Sequence, residues 1–252
     1  MHEAAVEDLP VEPLDPETLE LPEPYELLMP VEPPEVWCAG VTYERSRDAR
    51  VDESTVKDVY TLVYDAERPE LFLKDAACRR TVGPGRPIGI RADSSWDVPE
   101  PEIGLVLGER GAITGYTIGN DVSSRAIEGE NPLYLPQAKL FAGACAIGPA
   151  VLAADGAAVF EIRLRILGPG GEELFAGETT TARMRRSFEE LVSWLRRDNP
   201  VPAGSVLLTG TGLVPPDDFT LRPGQRVEIH VPGIGTLVNP VGRASDLMTE
   251  ER

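Results

Sequence analysis

The stretch WDVPEPEIGLVLGERGAITGYTIGNDVSSR, Trp96 to Arg125, decides the fold. Residues 102–107 and 112–118 read as two apolar strands, with a Gly-containing turn at 109–111 between them. Working outward, residues 71–74 (LFLK) and 160–167 (FEIRLRIL) are further strands. SVLLTG, RVEIHV and GTLVNPV follow as short strands between Gly and Pro turns. Helices are expected over 53–65, where Val56, Val59, Tyr60 and Val63 recur at helical spacing, and over 187–198. In the latter, Phe188, Leu191, Val192 and Leu195 form the stripe and Ser187 with Glu190 has capping-box spacing. Strands outnumber helices and do not alternate with them. The fold class is therefore α+β and β-rich, with few helices, rather than a doubly wound sheet.

The 252 residues carry 42 acidic against 24 basic side chains, a formal charge of -18. With 42% hydrophobic and 26% charged residues, the composition is that of a folded chain. Phosphate binding needs clustered Lys and Arg, so the acidic balance argues against nucleic acid as a partner. No apolar run approaches the ~20 residues of a membrane span, and the N-terminus lacks the features of a signal peptide. A cytoplasmic protein is expected. Residues 1–35 hold eleven acids and no Lys or Arg, with Pro throughout. They read as an extended acidic arm or small subdomain ahead of a catalytic domain spanning 36–252.

Cys38, Cys78 and Cys145 are odd in number and widely spaced, which suits free thiols. The histidines are His2, in the arm, and His230, on the solvent side of a strand. A His-based zinc site is thereby all but excluded, and any metal should be held by oxygen: Mg²⁺, Mn²⁺ or Ca²⁺. Glu100 and Glu102 stand two apart at a strand start, so period-two geometry aims both carboxylates at one face. Like charges so placed repel, and a divalent cation relieves the repulsion. The plainer alternative is an exposed strand edge. Asp121 ends the partner strand after Gly-Asn and could be a third ligand, a turn-former or a helix cap. The lysines are Lys57, Lys74 and Lys139 in a chain that otherwise uses Arg. Lys can serve as a base where Arg cannot, which singles out Lys74 and Lys139, whereas Lys57 lies on an expected helix surface. Thr211 lies in LTGTG, whose glycines permit close backbone approach to an anion.

Taken together, Glu100-x-Glu102, Asp121 in GNDVSSR, Lys139, LLTGT and PGIGTLVNPV resemble the fumarylacetoacetate hydrolase family over most of 36–241. The resemblance implies a mixed β-sandwich or roll, and a Mg²⁺ or Mn²⁺ ion on Glu100, Glu102 and Asp121 chelating a 2-oxo acid. Hydrolytic members carry a water-activating His in Gly-x-Asn-Tyr-x-x-His, where this chain has Ser46 in GVTYERS. That departure, with IEGENPLYLPQAK and RADSSWDVPEPE, resembles the branch that contains 2-keto-3-deoxy-D-arabinonate dehydratase. The implied reaction is loss of water from a 2-keto-3-deoxy sugar acid, giving 2-oxoglutarate semialdehyde from the pentonate. Lys139 is the first candidate for proton transfer and Glu70 the second. Arg45, Ser46, Lys74 and Thr211 are candidate substrate contacts, and the loop 128–136 a candidate cover. The resemblance also implies a homodimer or dimer of dimers. The alternatives are an acylpyruvate hydrolase or oxaloacetate decarboxylase on the same scaffold, and a non-catalytic metal and 2-oxo acid binding protein.

Overall fold

The computed structural model describes residues 26–44, 62–156 and 158–248. In chain order the strands and helices are β1 (Glu35–Gly40), β2 (Glu70–Ala76), β3 (Thr81–Val82), β4 (Ile88–Ile90), β5 (Asp97–Val98), β6 (Pro101–Leu107), β7 (Ile113–Asp121) and β8 (Ser123–Ser124). There follow α1 (Arg125–Glu130), α2 (Leu135–Lys139), β9 (Cys145–Ala153), β10 (Glu161–Leu167), β11 (Glu173–Thr180) and α3 (Phe188–Leu195). The chain closes with β12 (Val206–Leu208), β13 (Arg226–Val231), β14 (Gly235–Arg243) and α4 (Ala244–Leu247).

A seven-stranded sheet in the order β2-β1-β12-β6-β7-β9-β3 packs on a five-stranded sheet ordered β11-β10-β13-β14-β4. Both are mixed: β1 pairs with β12, β3 with β9, and β14 with β4 in parallel, the rest antiparallel. The β-rich α+β expectation is met as a mixed sandwich with short helices. Alternation sorts the side chains. Ile103, Leu105 and Leu107 of β6 and Tyr116 and Ile118 of β7 face Ile162, Leu164, Ile166, Val227 and Ile229 of the second sheet. α3 closes this core with Phe188, Leu191, Val192 and Leu195. Ser187 caps α3 through the Glu190 N–H, but the Glu190 carboxylate pairs with Arg186, so half of the capping box forms.

The opposite face of the large sheet carries Val36, Cys38, Val106, Cys145, Ile147, Val206 and Leu208. Met29 and Val31, from the end of the acidic segment, pack onto it with Phe72. That segment is tied down where Ala77 donates to the Pro34 carbonyl at 2.8 Å. Every residue of β6 is buried, because the strand is covered on both faces. The expected helix over 53–65 is helical at 62–65, and the remainder, with Lys57, lies outside the described residues. Among the described residues no helix is long and apolar enough to cross a membrane. His230 lies on β13 with its Nδ1 2.9 Å from the Thr236 hydroxyl, remote from the acidic cluster. The three cysteines are thiols outside any disulfide; Cys38 and Cys145 are buried and burial raises both thiols, whereas Cys78 is half-exposed.

Candidate metal centre and active-site cavity

Strand direction gathers the site. β1 ends at Gly40, antiparallel β2 begins at Glu70, and parallel β12 runs out into Thr209–Gly210. The start of β6 supplies Glu102, with Glu100 just ahead of it, and the end of β7 supplies Asp121. All lie at one end of the seven-stranded sheet. Period two puts Glu102 with Gly104 and Val106, and Asp121 with Thr117 and Gly119, on the face away from the main core. There the oxygens of Glu100, Glu102 and Asp121 come within 4.8 Å of one another. All three residues are at most 4% exposed, so the exposed-edge alternative for the two glutamates is overturned.

The surroundings answer this buried charge. Arg125 Nη2 donates to Glu100 Oε1 at 2.9 Å. Lys139 Nζ donates to Glu100 Oε2 and to Asp121 Oδ2, both at 2.8 Å, and also to the Ser123 hydroxyl. Lys74 pairs with Asp121 Oδ1 and donates to the Val122 carbonyl at 2.9 Å. The Gly210 N–H donates to Glu102 Oε2 at 2.6 Å. Gly210 has φ +90°, and a Cβ there would sit 2.1 Å from the Thr42 hydroxyl, so glycine is required for this approach. Thr42 in turn bonds the Thr209 carbonyl at 2.7 Å, and Thr209 bonds the Ile103 carbonyl at 3.0 Å, bracing the loop against β6. Glu102 has a proton affinity well above the usual carboxylate range, first through burial and then through the charges of Asp121 and Glu100. Three crowded oxygen donors with an anion so raised fit a hard divalent cation.

A small cavity opens over the triad. Its walls include Gly40, Glu70, Phe72, Arg125, Glu128 and Lys139, with Gly210 and Thr211 at the side. The site residues expected from sequence divide as follows. Glu100, Glu102, Asp121, Lys139, Glu70 and Thr211 are brought together around the cavity. Lys74 stands two residues after Phe72 on β2, where the register with β1 shifts. It lies beneath Asp121, fully buried, and is not on the cavity wall, so a substrate contact does not fit it. The Thr211 hydroxyl is engaged with the Leu213 backbone, donating at 3.1 Å and accepting at 3.2 Å. Arg45 and Ser46 lie outside the described residues.

The expected loop at 128–136 is instead largely helical: α1, a 3₁₀ turn at Pro132–Tyr134, then α2. Both prolines sit in the first turn of their segment, where the missing N–H costs nothing. Sequence reasoning missed Arg125, Ser123 and Glu128. The available signal was Ser124, which caps α1 through the Ile127 N–H and so puts Arg125 and Glu128 three apart on one helical face.

Residues 35–242 match the profile of the fumarylacetoacetate (FAA) hydrolase C-terminal domain. A "Probable 2-keto-3-deoxyxylonate dehydratase" of Haloferax volcanii is 53% identical over 215 residues, covering 84% of this chain and 74% of that protein. A 2-dehydro-3-deoxy-D-arabinonate dehydratase of Saccharolobus solfataricus is 46% identical over 219 residues, covering 84% and 73%. A solved structure of 2-keto-3-deoxy-D-arabinonate dehydratase with magnesium and 2,5-dioxopentanoate superposes with a TM-score of 0.77 at 45% identity, covering 84% of this chain and 74% of that one.

Proposed function

This chain belongs to the fumarylacetoacetate hydrolase family, and from that premise we propose that it is a metal-dependent hydro-lyase acting on a 2-keto-3-deoxy sugar acid, 2-keto-3-deoxy-D-arabinonate first. The observation that carries this is the buried Glu100, Glu102, Asp121 cluster under a cavity that has carboxylates and no histidine on its described walls. The names of the two relatives point to one substrate. Arabinonate and xylonate differ at C2 and C3. Oxidising C2 and deoxygenating C3 erases both differences, so in the D series the two names describe one molecule, whose stereocentre is C4.

Glu100, Glu102 and Asp121 would hold the magnesium or manganese ion, which when bound supplies a Lewis acid for the C1 carboxylate and C2 carbonyl and so acidifies C3. The chain's own residues do the rest. Arg125, the Gly210 N–H and Lys74 fix the orientation of Glu100, Glu102 and Asp121 in that order. Lys139 points its protons at three acceptors and acts as a fixed positive charge beside the reacting oxygens. A base needs a lone pair turned to the substrate, so removal of the C3 proton passes to Glu70, which stands on the wall with its carboxylate over Gly40. Arg45 and Ser46 remain candidate contacts to the sugar hydroxyls, and Thr211 to the carboxylate end. Residues 36–252 form the catalytic domain in this reading, the protein is cytoplasmic, and it works as a homodimer or dimer of dimers.

Incubation with 2-keto-3-deoxy-pentonates and -hexonates, with and without chelator, tests the reading by product mass. Metal-dependent loss of one water supports it. Two carbon fragments would transfer the site to hydrolysis or decarboxylation, and saturable binding without product would make it a binding protein.

A further inference from the structure

α1 buries two residues, Arg125 and Glu128, so its inward face is entirely charged. Such a face gains nothing from the hydrophobic effect and costs desolvation. Arg125 is accounted for by Glu100. Glu128, 3% exposed and one helical turn on, reaches the same cavity wall. Among the described residues lining the cavity, the ionisable side chains are Glu70, Glu100, Glu102, Asp121, Arg125, Glu128 and Lys139. Three form the acidic triad, and Arg125 and Lys139 are cations committed to it. Glu70 and Glu128 are the carboxyl groups on the wall outside the triad. They come from different walls, one from β2 over the bare backbone of Gly40, the other from α1.

We propose that Glu128 is a catalytic residue, the general acid that protonates the departing C4 hydroxyl; this rests on the dehydratase reading. Glu70 takes a proton from C3, and the electrons of the broken C–H bond form the C2–C3 double bond. As the carbonyl reforms, those electrons form the C3–C4 double bond, the C4–O bond breaks, and Glu128 gives its proton to the leaving oxygen, which departs as water. The aldehyde at C5 then arises by hydrogen shifts within the product, so no oxidant or co-reactant is needed. Dividing the two proton transfers between two carboxyls on different walls is a general solution for acid and base work at one site. Because C4 is the stereocentre of such a substrate, the group on its hydroxyl also selects configuration.

The experiment is Glu128→Gln, with magnesium affinity measured by calorimetry and two rates followed in D₂O: water loss, and deuterium exchange at C3 of unreacted substrate. The expected result is water loss slowed by about 100-fold or more, with C3 exchange and metal affinity retained. Exchange in the variant itself certifies a folded site. A C4-fluoro analogue, whose leaving group needs no proton, should lose less than about tenfold. Wild-type water loss in the variant, exchange lost together with water loss, or equal slowing of the hydroxyl and fluoro substrates would each overturn the assignment. Failure of the wild-type protein to release water from any sugar acid tested would overturn the dehydratase reading instead.

Discussion

Lys74→Met isolates the cation under the proposed metal site. Lys74 is fully buried against Asp121 and the Val122 carbonyl, and both partners are themselves enclosed. Removing one member of a buried ion pair costs about 3–5 kcal/mol. Orphaning a buried carbonyl costs about 1–3 kcal/mol, part of it already counted in the pair. A net loss of about 4 kcal/mol lowers the melting temperature of a chain this size by about 8–16 °C. The charge balance then adds a second, diagnostic effect. The triad of three carboxylates is met by three cations, Lys74, Lys139 and Arg125. Deleting one leaves the site net negative, so magnesium should bind the variant more tightly than the wild type and restore more than half of the lost stability. The residue of the loss is the Val122 carbonyl, which the ion does not serve. Thermal melts with chelator and with excess magnesium give both quantities. A variant within about 2 °C of wild type in chelator, where roughly 8 °C or more is expected, would refute the reasoning. So would an equal deficit in both media, since it would mean that Lys74 and the metal do not share Asp121.

Replacing both Glu100 and Glu102 by Gln should abolish the magnesium-induced rise in melting temperature and magnesium-dependent turnover; a wild-type rise would remove these residues from the ligand set. Gly40→Ala places a Cβ 2.0 Å from Glu70 Oε2, so it should displace that carboxylate and cut kcat at least about tenfold, ~1.4 kcal/mol of barrier, with magnesium affinity unchanged. An unaltered kcat would discharge Glu70 as the base. Asp97, 2% exposed, is pushed up to about 6, mainly by burial, with the Ser94 hydroxyl, Arg91 and Asp93 around it. Its folded pKa lies above the ordinary carboxylate value, so the fold binds more protons and loses stability as pH rises from about 4 through about 6. Urea unfolding of Asp97→Asn should therefore show an advantage over wild type that grows across that window and levels above it. The ceiling is about 3 kcal/mol, reduced to the extent that water reaches the carboxylate. A constant difference from pH 4 to 7 would contradict this.

The hairpin of β6 and β7 was legible because apolar alternation and a glycine turn agree, and the carboxylate spacing was legible because period two fixes which side chains share a face. Depth was not. Parity places Glu70, Phe72 and Lys74 on one face of β2, but whether that face is open at residue 70 and sealed at residue 74 depends on what packs over it. Here the end of β7 brings Asp121, and Val122 just after it, across Lys74, a contact 47 and 48 positions away in the chain. The helical character of 125–139 was hidden by Gly129, Pro132 and Pro136, which read as loop formers until their positions in each turn are known. Arg125 and Glu128 were overlooked with it, since their shared inward face exists only if α1 does. The candidate metal site also draws on the Gly210 N–H, a backbone group that no residue type announces.

The lysine usage of this chain carries a last consequence. Lys74 and Lys139 are two of its three lysines, and both are buried within this one site. If positive charge alone were wanted, Arg would serve, as Arg125 does for Glu100. Lys139 meets a different demand: one nitrogen bonds Glu100, Asp121 and Ser123 at once, an arrangement around a single point. An ammonium has three donors around one atom, whereas a guanidinium spreads its donors across a plane and is larger. Lys139→Arg should thus preserve the charge yet break the geometry. The expected loss is at least about 100-fold in kcat/KM, ~2.7 kcal/mol, approaching that of Lys139→Met. Steady-state kinetics of the two variants separates the roles. An Arg variant that keeps more than about a tenth of the activity, ~1.4 kcal/mol, while Met keeps far less would mean that charge suffices. The three-acceptor arrangement would then be incidental to catalysis.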